Sequence, residues 1–287
     1  MTSPYMWTPL GATADEMTEF LTLRPGIPDY MRESLISWIR YGEVSGTSAS
    51  TAFLLKFQTA AKTNLGITGN RIANENLGNI LRRMDPETFA NLVHFMLSEL
   101  PGALSGRLVA RAQTVEDVLS SGGSSYSVGI MQDHYGLVDR IPAAVADTVE
   151  EVISSSGKAS SLLSSAWEQA FGMNKNPSHA YSEAVKAVEV YSSPLFSPKD
   201  KLSTLGKDLN VLRNGEANFE FAMTGSQHTT AIGHVVSMMQ LLWHSQTDRH
   251  GEENYVGVSV AEAQAAVLLA STLVGWFSKG MVARKAP

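Results

Sequence analysis

The segment 260–277 constrains the fold more than any other part of the chain. Ser259 and Glu262 form a Ser-x-x-Glu capping box immediately ahead of it. Apolar residues then recur at alternating steps of three and four residues, at Val260, Ala263, Val267, Ala270, Val274 and Phe277. This spacing places them on one face of an α-helix, as in the seam of a helical bundle. The segment therefore predicts a long, capped helix packed against other helices.

The same segment is the longest apolar stretch in the chain, so a membrane-spanning role has to be considered. Glu262, Gln264 and two hydroxyl residues interrupt it, which makes it amphipathic rather than continuously apolar. The first 20 residues contain neither a basic region nor an apolar core, so they do not resemble a signal peptide. We therefore expect a cytoplasmic protein with no membrane contact.

Helical periodicity also occurs in the N-terminal part of the chain. In "PDYMRESLISWIRY" the apolar residues Met31, Leu35, Trp38 and Ile39 share one face. "DPETFANLVHFMLSEL" begins with an aspartate that can cap a helix and a proline at the first helical position. Residues 1–27, in contrast, contain three prolines and two glycines and are predicted to be irregular.

The middle of the chain has a different pattern. "TVEDVLSSG" predicts a short helix with Thr114 as its N-cap and Gly122 beyond its end. In "SSYSVGIMQDHYGLVDRI" apolar and small residues alternate on both sides of a turn near Asp133, which predicts a β-hairpin. The predicted organisation is an N-terminal helical region (1–113), a connector of short helix and hairpin (114–141) and a C-terminal helical bundle (142–287), mainly α overall.

Composition limits the function more than it identifies it. The chain has 287 residues and a net charge of −6, and neither half is basic, so bulk charge does not favour a nonspecific duplex binder. A small local RNA site stays open. The absence of cysteine excludes disulfides, thiolate zinc sites and cysteine nucleophiles. No phosphate-binding glycine loop with its lysine is present, so no nucleotide cofactor is expected.

The polar stretch "HSQTDRHG", from His244 to Gly251, joins the last two predicted helices. Two histidines with an arginine suit metal-independent RNA cleavage, because histidine can transfer protons near neutral pH and a guanidinium can pair with phosphate oxygens. Without a clear carboxylate partner the two histidines fall short of a zinc signature, so no metal is expected. The alternative is a plain connecting loop, since histidine at a helix C-terminus and a following glycine are common.

Several other residues can be interpreted in two ways. Lys186 and Glu189 can form a surface ion pair, or the carboxylate can orient a histidine of the loop. His228 and His234 precede the loop on different helix faces and are interpreted as structural or solvated. The tryptophans Trp167, Trp243 and Trp276 are predicted to lie in the core rather than to stack on bases, and "LRNG" at 212–215 is predicted to end a helix.

The end of the chain resembles a known family. "LWHSQTDRHG" followed by "VSVAEAQAAVLLASTLVGWF" is similar to the end of the abortive-infection-type (AbiJ-like) C-terminal domain of the HEPN superfamily. The family pattern is an arginine, a polar residue, four to six residues, His-Gly, a short loop and a final helix that opens with Ser-x-x-Glu-Ala. The segment "AWEQAFGMNKNPSHAYSEAVKAVEV" resembles the first half of such domains, so the similarity covers roughly residues 142–280. The N-terminal half resembles actinobacterial and phage-borne proteins of this layout less specifically.

The resemblance implies an antiparallel helical bundle that acts as a metal-independent RNase, often as a homodimer in antiphage defence. It assigns acid/base chemistry to His250, positive charge to His244 and Arg249, and RNA contacts to Ser245, Arg249 and Lys186. His244 stands where the family has its arginine. The alternative implied by this departure is a non-catalytic module for binding or dimerisation, or a phage or prophage accessory protein without enzymatic activity.

Overall fold

The computed structural model describes residues 8–41, 47–66, 77–101, 108–131, 134–154, 157–225, 230–244 and 257–285. Within these ranges the chain is mainly helical, with two small antiparallel strand pairs. It divides into two compact units, Met1–Arg140 and Ile141–Pro287.

The first unit has six helices and one strand pair in its described part. Its elements are α1 (Ala14–Leu21), α2 (Asp29–Tyr41), α3 (Thr47–Ala60), α4 (Leu77–Arg83), α5 (Pro86–Ser98), α6 (Ala110–Ser121), β1 (Tyr126–Met131) and β2 (His134–Asp139). Helix α2 packs against α4, α5 and α6, while α5 covers β2 and α6 contacts β1.

The predicted apolar face of α2 is confirmed, because Met31, Leu35, Trp38 and Ile39 are all buried. The start of α5 is confirmed as well, since the Asp85 carboxylate accepts from the Thr88 N–H at 2.9 Å and a proline follows it. These predictions succeed because capping and periodicity are local properties of the sequence.

Two predictions for helix starts are wrong. Residues 14–21, expected to be irregular, form α1, which begins with a capping box between Thr13 and Glu16. Helix α6 begins at Ala110 rather than after Thr114, and Val109 is its N-cap. The Thr114 hydroxyl donates to the Ala110 carbonyl inside the helix at 3.0 Å, a bond that serines and threonines make in helix interiors.

The predicted strand pair in the middle of the chain is confirmed. Strands β1 and β2 pair antiparallel, with Gly129 opposite Gly136 in the register. A Cβ on Gly136 would lie 2.8 Å from the His94 ring, so glycine here lets the imidazole of α5 lie against the strand. His94 Nδ1 accepts from the Leu137 N–H at 3.0 Å, which ties α5 to β2.

Because of the His94 contact, we expect the stability of the first unit to decrease in acid. Burial lowers the pKa of His94, and the charge of His134 lowers it further. The unfolded chain therefore takes up this proton more readily than the folded chain as the pH falls below the unfolded pKa of about 6.5, so stability is full above that pH and is lost below it. Thermal unfolding at pH 7.5 and pH 5.5 should show a loss at the lower pH that His94→Gln reduces. An identical pH response in the variant would contradict this role.

Arg140, directly after β2, joins the strand pair to α6. Its guanidinium donates to Glu116 Oε1 at 2.8 Å, to the Ser124 carbonyl at 2.9 Å and to the Tyr126 carbonyl at 2.7 Å. The other Glu116 oxygen accepts from the Val128 N–H at 2.7 Å. Because both charged side chains are less than 20% exposed, at 19% and 18%, this pair is largely shielded from water.

The second unit has six helices and a short strand pair in its described part. Its elements are α7 (Ala143–Ile153), α8 (Lys158–Phe171), α9 (Pro177–Phe196), α10 (Leu205–Gly215), a 3₁₀ turn (Glu216–Asn218), β3 (Phe219–Phe221), α11 (Ala231–His244), α12 (Val260–Ser278) and β4 (Val282–Arg284). Strands β3 and β4 pair antiparallel.

Helix α9 lies at the centre of this bundle, where it packs against α8, α10 and α12. Its buried face carries many small residues, as do the faces of α8 and α12 turned toward it. The buried alanines on these three helices are Ala159, Ala166, Ala170, Ala180, Ala184, Ala187, Ala263, Ala266 and Ala270. Small side chains allow helix axes to approach closely. The core of this unit therefore consists of closely packed helix backbones as well as of large side chains.

Helix α12 begins with the predicted capping box of Ser259 and Glu262. Five of the six predicted seam residues are buried, whereas Val260 at the helix start is 38% exposed. The helix has the length and hydropathy of a membrane-spanning segment, but core helices of soluble proteins have the same properties. Its capped start and the burial of its seam in the bundle account for its apolar composition.

Asp208, in the first turn of α10, is completely buried and holds the end of α9 against α10. One carboxylate oxygen accepts from the hydroxyls of Ser192 and Ser193 at 2.7 and 2.9 Å. The other accepts from Ser197 and Ser203, both at 2.7 Å. Four donors offset the cost of burying the carboxylate, and its charge lies near the positive end of the α10 dipole.

Candidate functional site

The predicted site lies in the stretch between α11 and α12, and the structure describes only its first residue. Ser245, Arg249, His250 and Gly251 are outside the described residues. His244 is the last residue of α11, and its side chain is exposed. A positive charge is favoured at this position, because the C-terminal end of a helix carries a partial negative charge.

The last turn of α11 is held in place by neighbouring helices. The buried Tyr181 hydroxyl of α9 donates to the Leu242 carbonyl at 2.9 Å, which satisfies a carbonyl at the helix end. A Cβ on Gly206 would come within 2.5 Å of the Trp243 ring, so glycine there lets the indole lie against the backbone of α10. His244 therefore extends from a fixed helix end.

Arg213 of α10 reaches the same end of α11. With the Gln240 carboxamide oriented so that its oxygen faces α10, that oxygen accepts from Arg213 Nε at 2.9 Å and from Nη2 at 3.0 Å. Gln240 and His244 are four residues apart on one helix, a spacing at which side chains are neighbours, with Cβ atoms about 5–6 Å apart. Arg213 thus contacts α11 one helical turn before His244.

Sequence reasoning missed the contact between Arg213 and Gln240. The "LRNG" stretch was interpreted only as a helix end, and α10 does end at Gly215. Nothing in the local spacing indicates that the arginine faces α11, because the contact depends on how two helices pack.

Lys186 lies on the exposed side of α9. Its ammonium contacts Glu183 Oε1 at 2.8 Å. Glu189, the partner suggested by the sequence, accepts from the Leu205 N–H through Oε1 at 2.7 Å. Because Thr204 makes no side-chain cap, this carboxylate supplies the acceptor at the start of α10.

The remaining candidates are two histidines and three tryptophans. His234 is exposed on α11, and His228 is outside the described residues. Trp167, Trp243 and Trp276 are partly buried and pack against the core of the second unit, as predicted. In the part of the chain that the structure describes, no group of three or more histidine, aspartate or glutamate side chains could hold a metal ion.

Helix α12, which follows the loop in sequence, begins with a capping box. Glu262 accepts from the Ser259 backbone N–H at 2.8 Å, and this bond, followed by the Ser259 hydroxyl, lowers the pKa of Glu262. The ionised carboxylate lies in the first helical turn, where the helix dipole favours it. In sequence, the stretch 245–256 therefore lies between the end of α11 and the capped start of α12.

Comparisons with known proteins add no relative. No protein-family model, no curated protein and no solved structure matches this chain. The interpretation of the site therefore rests on the quoted residues and on the contacts at the end of α11.

Proposed function

We propose that the protein is an abortive-infection-type effector whose second unit, a HEPN-like bundle, cleaves RNA without a metal ion. The observation that carries the proposal is the end of α11. There an exposed histidine extends from a helix terminus fixed by Tyr181 and Gly206, directly before a stretch that contains Arg249 and His250. Cleavage of a phosphodiester by a 2′-hydroxyl is favoured by cations together with a proton-transfer group.

The proposed reaction is an internal transesterification. His250 removes the proton of the ribose 2′-hydroxyl, whose oxygen attacks the adjacent phosphorus while the bond to the 5′-oxygen breaks. His250 then delivers the proton to that 5′-oxygen, so the products are a 2′,3′-cyclic phosphate and a 5′-hydroxyl. His244 and Arg249 stabilise the charge of the phosphorane transition state. Ser245 and Lys186 are proposed to contact the RNA backbone.

A binding module is the second candidate, and the histidine at position 244 favours it. In the family pattern that position is an arginine, whose planar fork pairs with phosphate oxygens in a way that imidazole does not match. The net charge of −6 also gives no general attraction for RNA. On this alternative the bundle serves for dimerisation or for contact with a partner protein.

Incubation of the purified protein with total RNA in EDTA tests the proposal. We expect wild type to cleave and His250→Ala to lose about 10²–10⁴-fold in rate, as is usual when an acid/base group is removed. His234→Ala is the matched control, because that histidine is exposed on α11 and has no proposed role. The cleavage products should carry cyclic phosphate ends.

Intact RNA with wild type, together with unchanged growth when the protein is overproduced, would refute cleavage and favour the binding module. Light scattering of the same preparations measures the oligomeric state. A homodimer that forms through the C-terminal bundle is expected for a cytoplasmic protein of this type under both candidates. Light scattering therefore does not decide between them, whereas the RNA assay does.

A further inference from the structure

We propose that Arg213 of α10 supplies the guanidinium that binds the RNA phosphate at the end of α11. The inference rests on the proposed function, since it names a second cation for the same site. Arg213 lies far from the loop in sequence, and no pattern of the loop itself points to it. What places it there is the contact of its guanidinium with Gln240, one helical turn before His244.

The Gln240 contact orients the guanidinium through a neutral carboxamide. Elsewhere in the chain, arginines such as Arg82 and Arg140 donate to glutamate carboxylates, which cancel their charge. Arg213 is held instead by a neutral carboxamide through two of its five N–H groups. An exposed guanidinium fixed in this way keeps its positive charge and has donors left for a phosphate.

A phosphate bound at the end of α11 is expected to need a cation in addition to His244. A phosphate near the C-terminal end of a helix faces the partial negative charge of the last carbonyls, which disfavours its binding. His244 alone is a weak partner for a phosphate, because an imidazole lacks the planar fork with which a guanidinium pairs with phosphate oxygens. The guanidinium of Arg213 would supply this fork and would offset the partial negative charge of the helix end.

The helix that carries Arg213 is also held firmly in the bundle. Its first turn is tied to α9 by Asp208, which accepts from four serine hydroxyls, and by Glu189, which accepts from the Leu205 N–H. Gly206 lies against Trp243 of α11. A cation on such a helix loses little freedom when it binds a ligand, which favours binding.

Two assays in EDTA test the inference. The first measures cleavage of a short single-stranded RNA, and the second measures binding of the same sequence as a 2′-O-methyl oligonucleotide, which cannot be cleaved. We expect Arg213→Ala to lower kcat by about 10²-fold. It should also reduce the slope of log affinity against log salt by about 0.7, the loss of one phosphate contact on a single strand.

Arg213→Lys should recover only part of kcat, because an ammonium keeps the charge but lacks the planar fork. Gln240 acts as a positioning residue, so Gln240→Ala should lower kcat while the salt slope stays close to that of wild type. Lys207→Ala is the control on the same helix, since Lys207 pairs with Asp200 at 2.9 Å, and it should behave as wild type. Thermal unfolding of each variant checks that the bundle is intact.

The outcomes separate the inference from the proposed function. If wild type cleaves and Arg213→Ala matches it in rate and salt slope, the inference is wrong and the nuclease stands. If wild type does not cleave but its binding loses salt dependence in Arg213→Ala, cleavage is wrong and the phosphate contact stands. If neither cleavage nor an Arg213-dependent slope is found, both are refuted.

Discussion

Asp208→Ala is expected to destabilise the second unit by about 3–4 kcal/mol. The substitution leaves the hydroxyls of Ser192, Ser193, Ser197 and Ser203 facing a small cavity without the carboxylate that accepts from all four. Each buried donor left unpaired costs about 1–3 kcal/mol, and partial re-pairing with backbone carbonyls reduces the sum. Asp208→Asn should lose less, because one carbonyl oxygen remains as an acceptor.

Hydrogen exchange of the full chain locates this loss. Amides in 177–215 should exchange faster in Asp208→Ala, whereas those in 110–131 of the first unit should keep the rates of wild type. Asp200→Ala is the matched control, because Asp200 is an exposed aspartate that contacts Lys207 in the same part of the bundle. Unchanged protection of 177–215 in Asp208→Ala would mean that the carboxylate does not hold α9 to α10.

Arg140→Met should destabilise the first unit by about 3 kcal/mol. The variant keeps the apolar length of the side chain but removes every donor, so two carbonyls and one oxygen of the shielded Glu116 carboxylate each lose a hydrogen bond. Arg140→Lys should recover part of the loss, since one ammonium cannot reach all three acceptors at once. Urea unfolding at pH 7.5 measures the difference.

Arg82→Met is the control for Arg140→Met within the same unit. Arg82 also donates to a glutamate through two nitrogens, but both side chains of that pair are largely exposed, at 46% and 62%. Water screens such a pair, so the substitution should change stability only slightly. Equal losses for the two arginines would show that shielding from water is not what gives the Arg140 network its strength.

The parts of the fold that the sequence predicts are those fixed by neighbouring residues. The seam of α12, the buried face of α2 and the cap at Asp85 all follow from residue type and spacing over one or two turns. Helix α1 is a local feature that the prediction of an irregular segment at 1–27 misses. Its capping box of Thr13 and Glu16 is a sequence pattern, but prolines occur on both sides of the helix and favour irregular structure.

The contacts that matter most for the site could not be predicted from the sequence. Asp208 and its serines look like an ordinary polar segment, because their convergence depends on how the end of α9 meets α10. Arg213 and Gln240 lie on different helices, so their contact depends on the packing of α10 against α11. Local patterns identify which residues are helical, but they do not determine which polar side chains meet across a helix interface.

The position of α12 in the bundle has a consequence for synthesis on the ribosome. Helix α2 packs against α4, α5 and α6, and α5 covers β2, so the first unit has a core of its own that can form while the rest of the chain is still being made. Helix α12, which packs against α7, α8, α9 and α11, emerges after all four. Until α12 has been made, the apolar surfaces that it covers on these four helices are exposed. We therefore expect chaperones to bind the nascent second unit more than the first.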